Sequence, residues 1–126
     1  MTSFVYDTGA LLAAESNNVR MWTIHDEALA TDRQPVIPAP VLAQAWRGGP
    51  QHRLSRLLRS CIVEPMDETT AREAGRACAT AGSSDVVDAT VIVTAVEYGA
   101  EVVTSDGKDM EALSQAVGHR IGLRLV

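Results

Sequence analysis

The sequence predicts an α/β fold in which short strands alternate with helices and pair into a mostly parallel sheet. Three observations support this prediction. Runs of apolar, β-favouring residues recur along the chain, segments with helical periodicity separate them, and no internal repeat or linker interrupts the alternation. The chain has 126 residues, of which 46% are hydrophobic and 21% charged. This length is enough to bury a core, and we expect a single domain over residues 1–126.

Five segments are predicted to be strands because their residues are β-favouring and mostly apolar, and because turn residues bound them. In chain order they are residues 3–6, 35–38, 61–63, 101–104 and 121–126. Pro35 and Pro38 stand at the ends of the second segment, where a missing N–H is tolerated. The last segment is expected at the periphery of the sheet.

The segments between the strands are predicted to be helices from their apolar spacing and their capping residues. They are a helix from about residue 9, then 18–31, 40–47, 51–60, 68–81, 85–98 and 107–117. Residues 86–96 are nearly all apolar and often β-branched, so a strand is the alternative there, but the length favours a helix. A serine before residue 85 is expected to cap this helix. His25 is expected on the surface of the second helix.

The two cysteines, Cys61 and Cys78, lie in apolar segments and do not form a C-x-x-C motif. Free thiols in a reducing compartment are the expectation, rather than a disulfide or a zinc site. No apolar run reaches the roughly 18 residues of a membrane span, and the N-terminus does not resemble a signal peptide. We therefore predict a cytoplasmic protein without a membrane partner.

The net charge of −5 argues against a general nucleic-acid coat protein, but the charge is unevenly distributed. Residues 34–63 contain no acidic residue. Four arginines give this stretch a charge of +4: Arg47, Arg53, Arg56 and Arg59. We refer to these four residues as the arginine patch. A basic patch of this kind can bind phosphates. The alternative is an ordinary solvated helix face.

Aspartates follow two of the predicted strands and open one of the predicted helices. Asp7 comes directly after the first strand, and Asp106 follows the fourth. Asp85 and Asp88 are three residues apart at a helix start and therefore share one face. In a parallel sheet, ligands bind outside the carboxyl ends of the strands. If the first and fourth strands are neighbours, these carboxylates converge.

Carboxylates that converge repel one another unless a cation compensates their charge. Mg²⁺ or Mn²⁺ is the natural cation, because it takes hard oxygen ligands and leaves room for water and a phosphate. The implied reaction is metal-assisted hydrolysis of a phosphodiester bond. The structural alternative is that each aspartate only caps a helix.

Other chemistries find little support in the sequence. The three histidines are scattered, neither cysteine has a neighbouring histidine, and the two glycine-rich phosphate-binding motifs, G-x-x-x-x-G-K-[ST] and G-x-G-x-x-G, are absent. A phospho-acceptor receiver domain also places acids at strand ends, but it needs a lysine at the end of a late strand. The single lysine, Lys108, stands two residues beyond an aspartate instead.

Four segments of the sequence resemble PIN-domain proteins, specifically VapC-type toxins of bacterial toxin–antitoxin pairs. They are VYDTGALLA, PAPVLAQAWRGG, DATVIVTAVEYGA and VVTSDGKDM, and the resemblance covers nearly the whole chain. It implies a PIN-like three-layer α/β/α sandwich with a mostly parallel sheet of about five strands. It also implies a Mg²⁺- or Mn²⁺-dependent endoribonuclease, a homodimer, and neutralisation by a cognate antitoxin.

By motif position, the resemblance implies that Asp7, Asp88 and Asp106 are catalytic and bind the metal. Asp109 matches a further acid often found just beyond and is a fourth candidate ligand. Thr104 matches a hydroxyl residue that commonly supports the site. RNA is then the phosphate-bearing partner expected at the arginine patch, although an acidic segment of the antitoxin could bind there instead.

One departure from the family pattern concerns Gln44, which stands where related sequences usually have glutamate. An amide lacks the charge of a carboxylate, so this substitution supports an alternative function. The chain could be a weakly active or inactive PIN module that acts mainly in binding antitoxin or RNA. Asp85, one helical turn before Asp88, is an auxiliary residue that could compensate for the missing acid.

Overall fold

The computed structural model describes residues 3–126. Within this range the chain forms five strands: β1 (Phe4–Tyr6), β2 (Val36–Pro38), β3 (Ile62–Glu64), β4 (Glu101–Thr104) and β5 (Leu123–Leu125). The helices described there are α1 (Thr8–Glu15), α2 (Val19–Ala30), α3 (Ala39–Ala45), α4 (His52–Leu58), α5 (Glu68–Ala81), α6 (Val86–Tyr98) and α7 (Gly107–Val117). Strands and helices alternate in the order that the sequence predicts.

The strands form one sheet in the order β3-β2-β1-β4-β5, and every pair of neighbours is parallel. Val5 at the centre of β1 pairs with Val36 on one side and with Val102 on the other. From β1 the chain builds outward to β3, then crosses to β4 and builds outward in the opposite direction. The strand order therefore reverses between β1 and β4.

Helices cover both faces of the sheet. The connections from β1 to β3 and from β3 to β5 progress across the sheet in opposite directions, so right-handed crossovers place their helices on opposite faces. In agreement, α1 packs against α2, α3 and α4, whereas α5, α6 and α7 pack against one another. The three residues of β1 are buried. The predicted PIN-like three-layer α/β/α sandwich is confirmed.

Residues 86–98 are a helix, although their composition also suits a strand. The hydroxyls of Thr90 and Thr94 donate to the carbonyl oxygens of Val86 and Thr90, four residues earlier, at 2.7 and 2.8 Å. A helix therefore buries these two threonines without leaving a polar group unpaired. Gly99 ends the helix in the left-handed conformation, with φ of 60°.

Two local predictions are wrong. The cap of α6 is Asp85, not a serine, because the Asp85 side chain accepts a hydrogen bond from the Asp88 N–H. His25 is buried rather than exposed. Its ring nitrogens lie 2.8 Å from the Tyr6 hydroxyl and 2.7 Å from Ser60 Oγ, so both polar atoms of the ring find partners in the interior.

Cys61 and Cys78 are free thiols, as the sequence predicts. Burial raises the pKa of Cys61 to about 12 and also raises that of Cys78. Among residues 3–126, no single helix combines the length and the apolar character that crossing a membrane requires. The bent pair α5 and α6 meets that test by length and composition alone.

Candidate metal centre

The site lies where the strand order reverses, at the carboxyl ends of β1 and β4. Asp7 directly follows β1, and its N–H donates to the carbonyl oxygen of Val103 in β4 at 3.1 Å. Asp106 lies two residues beyond β4. Because β1 and β4 are parallel neighbours, the two aspartates emerge at the same edge of the sheet. Such a reversal opens a crevice in which α/β proteins bind ligands.

Asp7 is buried, with 3% of its surface exposed. Its Oδ1 accepts from the Ala10 N–H at 2.8 Å, which caps α1. The nearby Thr104 hydroxyl and the backbone N–H groups of Ala10 and Gly9 act to lower its pKa. Burial nevertheless raises the pKa of Asp7, because the loss of hydration outweighs these hydrogen bonds. A positive charge near Asp7 would relieve this cost.

Thr104 is fully buried at the end of β4. Its Oγ1 accepts from the Asp106 N–H at 2.8 Å, and its nearness to Asp7 acts to lower the pKa of that carboxyl. One hydroxyl thus holds the backbone that carries Asp106 beside Asp7. The supporting role that the resemblance implies for Thr104 stays a prediction.

Three carboxylates form an acidic cluster in front of these residues: Asp88, Asp106 and Asp109. One oxygen from each lies within 4.8 Å of the others. Asp88 is half-buried and the other two are exposed. Asp7 is not part of this tightest group, but it is near enough for its charge to act on Asp88. The structure thus brings together three of the four predicted metal ligands, and Asp7 lies beside them.

The electrostatics of the acidic cluster favour a cation. Burial raises the pKa of Asp88 to about 7, and the carboxylates of Asp85, Asp7 and Asp106 add to the effect. A hydrogen bond with Asp106, together with its charge, raises the pKa of Asp109. Among residues 3–126, no lysine, arginine or histidine forms an ion pair with a carboxylate of the acidic cluster. The aspartates therefore repel one another at neutral pH.

Three helices begin at the site, and aspartates of the site cap all of them. Asp7 caps α1, Asp85 caps α6 and Asp106 caps α7. Helix N-termini carry partial positive charge and attract anions. The alternative that these aspartates cap helices is thus confirmed for Asp7, Asp85 and Asp106. Capping uses one oxygen of each carboxylate, however, and leaves the other for a further ligand.

The two auxiliary residues predicted from the sequence occupy different positions. Asp85 is exposed, and its Oδ1 accepts from the Asp88 N–H at 3.0 Å, so it lies beside the acidic cluster. Gln44 projects from α3 to the start of α1, where its Oε1 accepts from the Thr8 hydroxyl at 2.6 Å. Since Thr8 follows Asp7, the amide lies at the edge of the site.

Sequence reasoning missed Gly9 as a residue of the site. A Cβ on Gly9 would lie 1.9 Å from Ser105 Oγ and 2.9 Å from Ser105 Cβ. The first turn of α1 therefore packs directly against the loop that carries Asp106. The signal in the sequence was a glycine in the first turn of a predicted helix, where an ordinary helix former is expected.

Two residues of the arginine patch contact α1 and α2 away from the N-terminus of α1. Arg53 Nη1 is 3.5 Å from the carbonyl oxygen of Glu15, and the Arg56 guanidinium stacks 4.3 Å above the Trp22 ring. Glu15 ends α1 eight residues after Asp7, which is about 12 Å along the helix axis at 1.5 Å per residue. Arg47 and Arg59 are exposed. The role of the patch stays a prediction.

The donor set fits Mg²⁺ or Mn²⁺. Asp88, Asp106 and Asp109 offer only carboxylate oxygens, and Asp7 adds a fourth carboxylate next to them. Hard divalent ions prefer such ligands, whereas zinc and copper sites use histidine or cysteine. Burial and the neighbouring carboxylates raise the pKa of Asp88, and the charge of a divalent ion would lower it.

Comparison with known proteins gives a family match and several structural likenesses. The model of the PIN domain family matches residues 4–115. No curated protein matches the sequence. Among solved structures, the chain is similar to VapBC2 from Rickettsia felis bound to a DNA fragment from their promoter. That match has a TM-score of 0.73 and 15% identity, and it covers 99% of each chain.

Two further structures are similar in fold. DNA-bound VapBC from Salmonella typhimurium gives a TM-score of 0.66 at 19% identity, over 98% of each chain. A toxin–antitoxin complex from Klebsiella pneumoniae gives 0.64 at 20% identity, over 85% of this chain and 89% of the other. At such low identity these likenesses concern the fold alone.

Proposed function

The chain belongs to the PIN domain family, and from this premise we propose that it is a metal-dependent endoribonuclease that hydrolyses RNA phosphodiester bonds. PIN domains are generally nucleases. The observation that carries the proposal for this chain is the acidic cluster, in which oxygens of Asp88, Asp106 and Asp109 lie within 4.8 Å of one another. The cluster stands at the strand-order reversal, the expected place for a ligand in this architecture.

Asp7 and the acidic cluster are the residues that would hold Mg²⁺ or Mn²⁺. When bound, an ion of this type would supply Lewis-acid chemistry: it would polarise a phosphoryl oxygen and lower the pKa of a bound water molecule. Asp106 and Asp109 are exposed, so a substrate can reach them from solvent. Asp7 is held by the hydrogen bond from the Ala10 N–H to its Oδ1, and the N-termini of α1, α6 and α7 already hold the carboxylates of Asp7, Asp85 and Asp106.

We also propose that the chain, as a single domain, is the toxin of a toxin–antitoxin pair, that a cognate antitoxin neutralises it, and that it acts as a homodimer in the cytoplasm. The support is the fold shared with solved structures described as VapBC and as a toxin–antitoxin complex. Either RNA or the antitoxin would bind the arginine patch. Because Arg53 contacts the last residue of α1, an RNA that touches both Arg53 and the acidic cluster must extend along α1.

A second candidate function is a weakly active or inactive PIN module that mainly binds antitoxin or RNA. The observation that favours it is Gln44, which brings an amide rather than a carboxylate to the edge of the site. The two candidates differ in one measurable property, the cleavage of RNA in the presence of a divalent ion.

A cleavage assay with a matched substitution tests the proposed function. Purified protein is incubated with a mixed-sequence RNA pool in Mg²⁺, in Mn²⁺ and in EDTA. We expect cleavage only with a divalent ion. We expect Asp106→Asn to lower the rate at least about 100-fold, because even the loss of a group that only orients a metal ligand costs about 10–100-fold. Asp67→Asn is the control, because Asp67 also caps a helix but stands at α5.

Two results would contradict the nuclease proposal. Cleavage that persists in EDTA would remove the need for the metal. The absence of any cleavage at high protein concentration, with both ions and a diverse pool, would favour the binding module. A map of the cleaved 5′ ends would then identify the RNA target of an active protein.

A further inference from the structure

Gln44 lies at the edge of the site in an orientation that its hydrogen bond determines. It belongs to α3, and its exposed side chain reaches the first residue of α1. The Thr8 hydroxyl donates to Gln44 Oε1 at 2.6 Å. Among residues 3–126, the Gln44 side chain makes no other hydrogen bond. Thr8 follows Asp7 directly, so the contact forms beside a proposed metal ligand.

This hydrogen bond divides the amide into two ends with different chemistry. The Thr8 hydroxyl donates to one lone pair of the oxygen, whereas the NH₂ group has no partner among the described residues. An amide NH₂ is a donor only and cannot ligate a cation. It can donate to an oxygen that carries negative charge, and such hydrogen bonds are stronger than neutral ones.

We propose that Gln44 binds a phosphate oxygen of the RNA backbone and is not a metal ligand. This inference rests on the proposed function, because it takes RNA as the substrate. Thr8 acts as a positioning residue, since its hydroxyl holds the Gln44 oxygen and leaves the NH₂ group to donate elsewhere. The amide thus replaces one negative charge at the edge of the site with a group that attracts the substrate.

Metal binding is the first readout, measured by calorimetric titration with Mn²⁺ alone. If Gln44 is not a ligand, Gln44→Ala leaves the Mn²⁺ dissociation constant within about twofold of the unsubstituted protein. Gln44→Glu places a carboxylate oxygen where the NH₂ group was, so Mn²⁺ binds about tenfold more tightly. Gln115→Ala, an exposed glutamine near the end of α7, is the control that changes neither value.

RNA binding is the second readout, measured by fluorescence anisotropy with a labelled single-stranded RNA of mixed sequence. The variants are combined with Asp106→Asn so that the probe is not cleaved. We expect Gln44→Ala to weaken binding about tenfold, the typical effect of losing a hydrogen bond to a charged group. Gln44→Glu weakens it further through repulsion. Thr8→Val weakens binding in the same direction, and Thr8→Ser, which keeps the hydroxyl, restores it.

The two readouts together decide the assignment. A tenfold loss of Mn²⁺ affinity in Gln44→Ala with unchanged RNA binding makes Gln44 a ligand and overturns the proposal. Unchanged values in both titrations also overturn it, because Gln44 then has no role at the site. Failure of the proposed function looks different, since the unsubstituted protein would neither bind Mn²⁺ nor cleave RNA.

Discussion

The hydroxyl of Thr104 and the missing side chain of Gly9 place the loop that carries Asp106, although neither residue carries a charge. The Thr104 hydroxyl accepts from the Asp106 N–H at 2.8 Å and lies near the Asp7 carboxylate. Gly9 allows the first turn of α1 to contact the loop that carries Asp106. At this scale the geometry depends on contacts of about 3 Å between small groups, so the loss of one methylene of space is enough to disturb it.

Gly9→Ala is predicted to lower RNA cleavage much more than stability. The new Cβ would overlap Ser105, and rotation of the hydroxyl cannot relieve the 2.9 Å contact with Ser105 Cβ, so the loop carrying Asp106 must shift. A displacement near 1 Å at a catalytic site costs up to about 100-fold in rate. The measurements are the cleavage rate and the melting temperature.

Two further variants make the Gly9 prediction specific. Ser105→Gly removes the overlapping atoms and should restore most of the activity in the double variant. Gly75→Ala is the matched control, because a Cβ there would meet nothing within 4 Å. This control gains up to about 1 kcal/mol from helix propensity and keeps full activity. Normal activity of Gly9→Ala alone would contradict the prediction.

At the scale of elements, His25 connects α2 to β1 and to the residues that follow α4. The Ser60 hydroxyl donates to the Leu57 carbonyl oxygen at 3.0 Å, so its oxygen is free to accept from His25 Nε2. Nδ1 then accepts from the Tyr6 hydroxyl. The neutral ring fulfils both roles, and burial lowers the pKa of His25 below its ordinary value of 6.5.

The lowered pKa of His25 predicts a specific dependence of stability on pH. Below pH 6.5 the unfolded chain binds a proton at His25 that the folded chain does not bind. This group therefore contributes full stability above pH 6.5 and loses it as the pH falls toward its folded pKa, by at most about 1.4 kcal/mol per pH unit. Urea unfolding at pH 7.5 and 5.5 measures the effect.

The comparison of variants separates His25 from other titrating groups. His25→Gln should be less stable at pH 7.5 by roughly 1–3 kcal/mol, because buried polar partners lose their bonds. Its stability should also fall less than that of the unsubstituted protein when the pH drops to 5.5. His52→Gln serves as control, since His52 is exposed at the start of α4. An identical pH response of His25→Gln and the unsubstituted protein would refute this account.

At the scale of the whole molecule, five of the sixteen acidic residues lie at the site. They are Asp7, Asp85, Asp88, Asp106 and Asp109. Burial on folding, together with the charges of Asp85, Asp7 and Asp106, raises the pKa of Asp88 to about 7. The free energy of folding therefore includes a repulsion that is absent from the unfolded chain. A site of this type sacrifices stability for the ability to bind a cation.

Asp88→Asn is predicted to raise the melting temperature in EDTA at pH 8, because it removes one member of the repulsive group. The expected gain is on the order of 1 kcal/mol, a few degrees for a chain of this size. Mn²⁺ at 100 times its Kd should increase the free energy of unfolding of the unsubstituted protein by about 2.7 kcal/mol, and its melting temperature should rise accordingly. The variant should show a much smaller Mn²⁺ effect, measured by calorimetry.

Asp67→Asn again provides the matched control, since it changes the same side chain at the cap of α5. It should respond to Mn²⁺ as fully as the unsubstituted protein and gain nothing in EDTA. A lower melting temperature of Asp88→Asn in EDTA would show that the Asp88 carboxylate stabilises the fold, which is incompatible with a cluster that lacks positive charge.

The sequence by itself determined the order of strands and helices and the residues at the edge of the sheet. Alternation of β-favouring runs with helical periodicity is local, and it placed β4 and α7 at the same bounds as the structure. Asp7 and Asp106 were identifiable because strand ends are also local. The assignment of residues 86–98 to a helix followed from length, since composition alone fits a strand equally well.

Only the tertiary structure decided which of these residues meet. The pairing of β1 with β4 joins segments about a hundred residues apart, and it creates the reversal at which the aspartates converge. The burial of His25, the contact of Gly9 with Ser105 and the hydrogen bond from Thr8 to Gln44 depend on packing between distant elements. Periodicity reports which face of a helix is apolar, whereas a polar partner across the interior leaves no trace in the local pattern.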